Sequence, residues 1–152
     1  GMAKGAKYLG QDINVYTLLG DGEIEEGEVW EAFMFAAHYK LDNLCVIIDL
    51  NGLQIDGPTE KVMNSAPVDA KMEAFGFNVI TIDGHDYDQI ESAFNAFRAC
   101  TGRPTAILMH TTKGKGVSYM ENNVDWHGKA PNDAEYEVAM NELRAAMAEL
   151  EA

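Results

Sequence analysis

Short apolar runs alternate along the chain with segments of helical spacing. Residues 13–19 form a β-rich apolar run that ends at Gly20-Asp21-Gly22. Residues 26–40 then place Val29, Phe33, Ala36 and Ala37, with Lys40 closing the series, on one face of a helix. The continuous apolar run of residues 44–50 is typical of a strand buried on both faces, which indicates a parallel sheet.

The second half of the chain repeats this alternation. Glycine and proline punctuate a loop over residues 51–65, and Pro67 begins a short helix that reaches Phe75. The pattern then predicts a strand over 77–82, a helix over 87–100, a strand over 105–110 and a long polar loop over 111–133. A final helix over about 134–150 is amphipathic through Val138, Leu143 and Met147.

Strands that alternate with helices predict an α/β fold with right-handed crossovers. We expect a doubly wound, mainly parallel sheet with helices on both faces, formed by residues 1–152 as a single domain. Ligands of such sheets bind beyond the carboxyl ends of the strands. Three polar segments that carry glycine lie there: residues 20–22, 51–57 and 111–116.

The strongly negative net charge of the chain disfavours binding partners that are themselves negatively charged. The formal net charge is -14 at pH 7, and 47% of the residues are apolar, as in an ordinary globular protein. Nucleic acid is an unfavourable partner because its phosphates need a concentrated surface of lysine and arginine. A phosphate ligand would also be repelled unless a divalent cation or local hydrogen-bond donors intervened.

The hydropathy and cysteine patterns indicate a soluble cytoplasmic protein. The longest apolar run, near residues 43–50, is far shorter than the roughly 18 residues that cross a bilayer, and no signal-peptide pattern begins the chain. Cys45 and Cys100 have neither CxxC nor metal-ligand spacing. We therefore expect no membrane partner and two buried, reduced thiols.

The Gly20-Asp21-Gly22 turn is the first candidate for chemistry. It lies where a strand gives way to a helix, so its backbone N–H groups and the helix dipole favour an anion, although a plain turn is also consistent. A calcium loop counted from Asp21 fails because Glu26 and Ala32 occupy the positions of its glycine and glutamate. No GxxxxGK[ST] loop is present, and both GxGxxG candidates are interrupted.

The position of Asn51 favours a binding role for the turn at residues 20–22 over a plain connection. It follows the next strand, and consecutive parallel strands usually neighbour one another, so Asp21 and Asn51 are expected to point toward one place. A carboxylate, an amide oxygen and a nearby carbonyl suit Mg²⁺, which prefers hard oxygen ligands and accepts phosphate oxygens as well. Such a metal would also offset the unfavourable charge.

These residues resemble a known family. The turn at residues 20–22 followed by Asn51 is similar to the thiamine-diphosphate signature, and the similarity covers nearly the whole chain. It is closest to the N-terminal region of transketolases, particularly those in which this region is a separate subunit. The further blocks that carry it are Glu25-Glu26-Gly27, Val29-Trp30-Glu31-Ala32, residues 51–57, Asp83-Gly84-His85, residues 112–116 and Trp126-His127-Gly128.

The resemblance implies roles for particular residues. Asp21, the side chain of Asn51 and the carbonyl of Leu53 would hold Mg²⁺, or another divalent cation such as Ca²⁺ or Mn²⁺. Gly20 and Gly22 would cradle the diphosphate of thiamine diphosphate, with Gly22 donating its N–H. These assignments follow from the family pattern, which the sequence matches at each position.

Three further roles come from the same resemblance. Lys113 and His127 would contact the diphosphate or the donor substrate near the reactive carbon, and Glu26 would belong to a subunit-interface network. Plainer interpretations stay open: Lys113 and Lys115 as solvated loop charges, His127 likewise, and the acidic residues near Glu26 as a favourable first helical turn. His85 fits a turn or capping residue better than a catalyst.

The implied activity is that of a transferase of the pentose phosphate pathway. It exchanges a two-carbon ketol unit between sugar phosphates, as a dimer or other homo-oligomer, with a partner subunit that carries the pyrimidine-binding domain. We expect this chain to be truncated at its N-terminus and inactive alone. The family often has a second Asn after the ligand Asn, whereas Gly52 stands here. The alternatives are a 1-deoxyxylulose-5-phosphate-type synthase and a non-catalytic cofactor-binding or assembly module.

Overall fold

A computed structural model describes residues 1–151 of the chain. Four parallel strands form the sheet: β1 (Val15–Gly20), β2 (Leu44–Leu50), β5 (Asn78–Asp83) and β6 (Thr105–His110). Their order is β1-β2-β6-β5, and each neighbouring pair runs parallel. The predicted α/β fold with a parallel sheet is therefore confirmed.

Within the described residues, six helices and a small hairpin accompany the sheet. The hairpin joins β3 (Leu53–Gln54) to β4 (Gly57–Pro58) in antiparallel pairing. The helices are α1 (Met2–Tyr8), α2 (Gly27–His38), α3 (Thr59–Val62), α4 (Val68–Ala74), α5 (Tyr87–Ala99) and α6 (Asp133–Leu150). Short 3-10 turns occupy Glu23–Glu25 and Val124–Trp126. None of the helices in residues 1–151 is long and apolar enough to cross a membrane.

Two apolar clusters pack on opposite faces of the sheet. Val46 and Ile48 of β2 pack on one face with residues of α1, α2 and α4. Cys45 of the same strand packs on the other face with Ala93 and Phe97 of α5. Burial of alternate β2 residues on opposite faces is what the continuous apolar run predicted, and the helices lie on both faces as expected.

Three local features differ from the sequence expectations. Residues 51–65, expected to form a loop, contain the β3–β4 hairpin and α3, and helix α1 was not predicted. The apolar stripe of α6 does not face the core, since Val138, Leu143 and Met147 are 42–58% exposed. The buried residue of that helix is the small Ala139, and Glu135, Met140 and Glu142 are partly buried beside it.

The two cysteines also differ from each other. Cys45 is buried as expected, whereas Cys100, at the end of α5, is partly exposed, so the expectation of two buried thiols is wrong for Cys100. Cys45 lies in β2, between the neighbouring strands β1 and β6, and Cys100 lies in the turn that leads to β6. The end of a helix leaves one side of a residue without packing partners.

Candidate functional site

The carboxyl ends of three adjacent strands bring the predicted site segments together. Strand β2 lies between β1 and β6, so the turns after these strands share one edge of the sheet. A cavity of about 610 Å³ opens there. Its lining residues are Gly20, Asp21, Gly22, Glu23, Asp49, Asn51, Leu53, Gln54, Ile55, Asp56, Lys113 and His127. Seven of the eight predicted site residues are among them.

Asp21 is the buried acid of this cavity, with 4% of its surface exposed. Its Oδ1 accepts a hydrogen bond from the N–H of Gly22 at 2.9 Å, and its Oδ2 accepts one from the N–H of Gly52 at 2.6 Å. Burial raises the pKa of Asp21, the two N–H groups lower it, and the nearby Asp49 raises it further. The net pKa is above the ordinary value, which marks a carboxylate whose charge is incompletely compensated.

Two hydrogen bonds fix the orientation of the Asn51 side-chain amide. Its Oδ1 accepts a hydrogen bond from the N–H of Leu53 at 3.0 Å, and its Nδ2 donates to Oδ2 of Asp49 at 3.1 Å. The amide oxygen therefore lies on the Leu53 side of the cavity. Asp21 and Asn51 line the same cavity at the strand ends, and their sharing of a metal stays a prediction.

Gly22 allows the first turn to approach the hairpin. A Cβ at this position would lie 2.8 Å from Cβ of Gln54, closer than real side chains come. Gln54 is itself held, because its Nε2 donates to Oε1 of Glu25 at 2.9 Å. A larger residue at 22 would therefore push the hairpin away from the turn, so glycine keeps this wall of the cavity in place.

Lys113 and His127 form the basic side of the cavity. Nζ of Lys113 lies 3.4 Å from Nδ1 of His127. The segment before His127 is anchored by Trp126, whose ring packs at 5.0 Å from that of Tyr119 and beneath the Lys129 ammonium at 4.2 Å. Both residues thus line the same cavity as Asp21 and Asp49, and their contact with a diphosphate stays a prediction.

Other residues singled out in the sequence lie elsewhere. Glu26 is exposed at the N-terminus of α2 and is not among the residues that line the cavity. Lys115 and His85 line a neighbouring cleft. Nε2 of His85 accepts a hydrogen bond from the N–H of Thr112 at 2.8 Å, and the main-chain N–H of His85 donates to Asp83. His85 therefore ties the end of β5 to the loop that carries Lys113.

Asp49 was missed by the sequence reasoning, although the sequence contains a signal for it. It is the acid inside the otherwise apolar run of β2, two residues before Asn51. Its side chain accepts hydrogen bonds from Asn51 and from the hydroxyl of Thr111. An ionisable residue in a buried strand needs polar partners, and here those partners come from the site itself.

The chemistry of these groups fits a hard divalent cation. Residues 1–151 contain no cluster of three or more histidine, cysteine, aspartate or glutamate side chains that could hold a metal. The oxygens of Asp21, Asn51 and Leu53 are instead a mixed set, of the kind that leaves positions for phosphate oxygens and water. The two ion pairs within the described part of the chain join Lys7 to Asp42 and Lys129 to Glu135, so neither neutralises Asp21.

Sequence comparison relates the chain to transketolases. A family model described as the transketolase thiamine diphosphate binding domain matches residues 4–148. The chain is 42% identical over 151 residues to an apulose-4-phosphate transketolase subunit of Phocaeicola vulgatus, covering 99% of the chain and 54% of that protein. It is 41% identical to a 6-deoxy-6-sulfo-D-fructose transketolase subunit of a Clostridium species, covering 85% of the chain and 47% of that protein. The chain thus spans about half the length of these subunits.

A solved structure has the same fold. The chain superposes on the transketolase of Campylobacter jejuni with a TM-score of 0.84 and 33% sequence identity. The match covers 92% of this chain and 22% of that one. The parallel sheet and its helices therefore follow an arrangement found in a transketolase.

Proposed function

Because the chain belongs to the family of transketolase thiamine-diphosphate-binding domains, we propose that it forms the metal- and diphosphate-binding part of a transketolase. The observation that supports this most is the meeting of Asp21, Asn51, Lys113 and His127 around one cavity at the strand ends. Acidic and basic groups that line one cavity suit a metal and a diphosphate that are bound together.

The metal would lie on the acidic side of the cavity. The Asp21 carboxylate, Oδ1 of Asn51 and the main-chain carbonyl of Leu53 would hold Mg²⁺, with Ca²⁺ or Mn²⁺ as substitutes. The buried charge of Asp21 supports this assignment, since neither ion pair within residues 1–151 neutralises it. A bound cation would lower the pKa of Asp21 and remove the cost of its burial.

The diphosphate would span the cavity from the metal to the basic residues. Lys113 and His127 would contact its oxygens or the donor substrate, and Gly20 and Gly22 would form the floor on which it lies. The N–H of Gly22 donates to Asp21 in the free chain, so this hydrogen bond would be shared with a diphosphate oxygen. Glu26 would act outside this cavity, in contacts between subunits.

The proposed activity needs a partner. Thiamine diphosphate, when bound, supplies a thiazolium carbon that carries the two-carbon ketol unit between sugar phosphates. The chain spans about half of the matching subunits, and its exposed apolar side chains include Leu9, Leu18 and Met34. We propose that a subunit with the pyrimidine-binding domain covers such surface. A homo-oligomer such as a dimer, a cytoplasmic location and a role in the pentose phosphate pathway belong to the same proposal.

The matching relatives favour this function over the synthase considered from the sequence. They are transketolases and transketolase subunits, and they give no support to that alternative. A non-catalytic cofactor-binding module and a catalytic subunit would both bind thiamine diphosphate. An assay of ketol transfer in the presence of the partner subunit separates the two.

Calorimetric titration of the chain with thiamine diphosphate tests the cofactor assignment. In saturating Mg²⁺ we expect saturable binding, which EDTA should abolish because Asp21, Asn51 and Leu53 would hold the diphosphate through the metal. Asp21→Ala removes the buried carboxylate and should abolish binding. Asp56→Ala is the matched control, since Asp56 lines the same cavity but is exposed. Equal binding by Asp21→Ala and the unaltered chain would reject the proposed site.

Reconstitution tests the activity. The chain alone should give no ketol transfer from a ketose phosphate to an aldose phosphate. Addition of a pyrimidine-domain subunit of the subunit-type transketolases should produce thiamine-diphosphate-dependent transfer. Enzyme-like turnover by the chain alone would contradict the division of the site between two subunits.

A further inference from the structure

Asp49 occupies the centre of the strand ends that form the cavity. It is the penultimate residue of β2, the strand that lies between β1 and β6. Its main-chain oxygen accepts a hydrogen bond from the N–H of Asp21 at 3.1 Å. Its carboxylate is half-buried and accepts hydrogen bonds from Asn51 and Thr111. One residue therefore contacts all three segments that converge at the site.

The carboxylate of Asp49 determines which way the Asn51 amide faces. Oδ2 of Asp49 accepts from Nδ2 of Asn51 at 3.1 Å, and Oδ1 of Asn51 accepts from the N–H of Leu53 at 3.0 Å. With the amide reversed, its oxygen would face the carboxylate and its NH₂ would face the Leu53 N–H, so both contacts would become repulsive. Asp49 thereby keeps the amide oxygen on the Leu53 side.

The second oxygen of Asp49 connects the site to the loop after β6. The hydroxyl of Thr111 donates to Oδ1 of Asp49, and the Thr111 N–H lies 3.4 Å from the carbonyl of Leu50. Thr111 stands two residues before Lys113. The same carboxylate that orients Asn51 on the acidic side therefore also fixes the start of the segment that carries the basic side.

We propose that Asp49 is a positioning residue that presents Oδ1 of Asn51 to the metal and fixes the start of the Lys113 segment. The proposal rests on the proposed function of the cavity, and it adds a residue that does not itself hold the metal or the diphosphate. Partners that orient a metal ligand commonly change metal affinity by about 10- to 100-fold when they are removed.

A negative charge near the metal is the competing explanation for Asp49, and two substitutions separate the explanations. Asp49→Asn removes the charge but keeps the shape: its amide oxygen can accept from Asn51, and its NH₂ can donate to the Thr111 hydroxyl. Asp49→Ala removes the charge and both contacts. If Asp49 acts by orienting Asn51, only Asp49→Ala should bind thiamine diphosphate more weakly. If Asp49 acts through its negative charge, both variants should lose the same affinity.

The test is calorimetric titration of the full chain with thiamine diphosphate in saturating Mg²⁺. We expect Asp49→Asn to bind within about threefold of the unaltered chain and Asp49→Ala to bind at least about tenfold more weakly. Unchanged affinity in Asp49→Ala, or an equal loss in both variants, would overturn the proposal.

A spectroscopic measurement on the free chain keeps the inference independent of cofactor binding. The ¹⁵N-labelled side-chain NH₂ of Asn51, assigned by its loss in Asn51→Ala, should show slowed exchange with water in the unaltered chain and in Asp49→Asn. Exchange as fast as that of a solvated amide in the unaltered chain would overturn the proposal, even if Asp49→Ala failed to fold. Absence of cofactor binding by the unaltered chain would reject the proposed function, while the Asn51 signal would still decide the role of Asp49.

Discussion

The two cysteine thiols differ in environment, and this difference gives a test at the scale of single residues. Cys45 is fully buried between β1 and β6, and burial raises the pKa of its thiol to about 12. The thiolate is the reactive form, so Cys45 should be inert in the folded chain. Cys100 is partly exposed at the end of α5. A colorimetric thiol reagent should therefore titrate one thiol in the native chain and two in denaturant.

The Cys100→Ser variant is the control for this titration. It should leave no thiol that reacts rapidly in the native chain, while denaturant should still reveal one. Rapid native reaction of Cys45 in that variant would contradict the packing of β2 against α5.

Gly114, next to Lys113, gives a second test at residue scale. Its φ is +72°, and a Cβ there would lie 2.5 Å from the carbonyl oxygen of Met120. Gly102 has φ +78° but open space around a Cβ, and it lies in the turn before β6, away from the cavity. Left-handed backbone costs about 1–2 kcal/mol for an ordinary residue. Gly102→Ala should lose about that much stability in urea unfolding, and Gly114→Ala should lose more.

Cofactor affinity separates these two variants further. The clash in Gly114→Ala moves the segment of Lys113 and should weaken thiamine diphosphate binding, whereas Gly102→Ala should bind as the unaltered chain does. Equal affinity in both variants would show that the Lys113 segment does not form part of the site.

At the scale of elements, the N-terminus of α5 makes stability depend on pH. The backbone and side-chain N–H groups of Gln89, followed by the N–H of Asp88, hold the pKa of Asp86 below its ordinary value of 3.8. A lowered folded-state pKa means that this stabilisation is present above pH 3.8 and is lost as the pH falls through the folded value. Asp86→Ala should therefore lower the thermal midpoint at pH 7, and the difference should narrow below pH 3.8.

Asp88→Ala is the control, because Asp88 stands in the same first turn but does not cap the helix. We expect a smaller change in the midpoint from this substitution. A difference between Asp86→Ala and the unaltered chain that stayed constant from pH 7 to pH 2 would contradict capping by the ionised carboxylate.

The elements with a strong hydrophobic pattern were predicted correctly, and those with a weak pattern were missed. β2 and β6 have the predicted bounds because continuous apolar runs between polar turns leave little choice. α1 was missed because it buries only Ala3 and Ala6, which produce no strong periodicity. The two-residue strands of the β3–β4 hairpin are likewise too short to show alternation.

The positions of the site residues that follow neighbouring strands could be predicted from the sequence. Asp21 and Asn51 follow consecutive parallel strands, so the sequence order alone placed them together. Family resemblance assigned Lys113 and His127 to the diphosphate or the donor substrate, but their contact with each other was not predicted, since it depends on the path of an irregular loop. Asp49 was missed because a single acid in a strand does not reveal which polar groups surround it.

At the scale of the whole molecule, the charge and the exposed surface are consistent with the proposed cation and the proposed partner subunit. A net charge of -14 opposes the approach of a diphosphate, and a divalent cation at Asp21 would reduce that repulsion locally. The outward stripe of α6 and the exposed edge strand β1 leave apolar side chains such as Leu18 and Met147 in solvent. These features agree with a chain that spans half of its subunit relatives.

Asp21, Asn51 and Leu53 are proposed to hold the metal that binds the diphosphate. An anomalous difference map from crystals of the chain grown with Mn²⁺ and thiamine diphosphate tests this proposal most directly, because the metal is located without assumption. We expect the strongest peak within coordination distance of the Asp21 carboxylate, Oδ1 of Asn51 and the Leu53 carbonyl, with the diphosphate between that peak and Lys113. A strongest peak elsewhere, or a diphosphate bound away from Asp21, would contradict it.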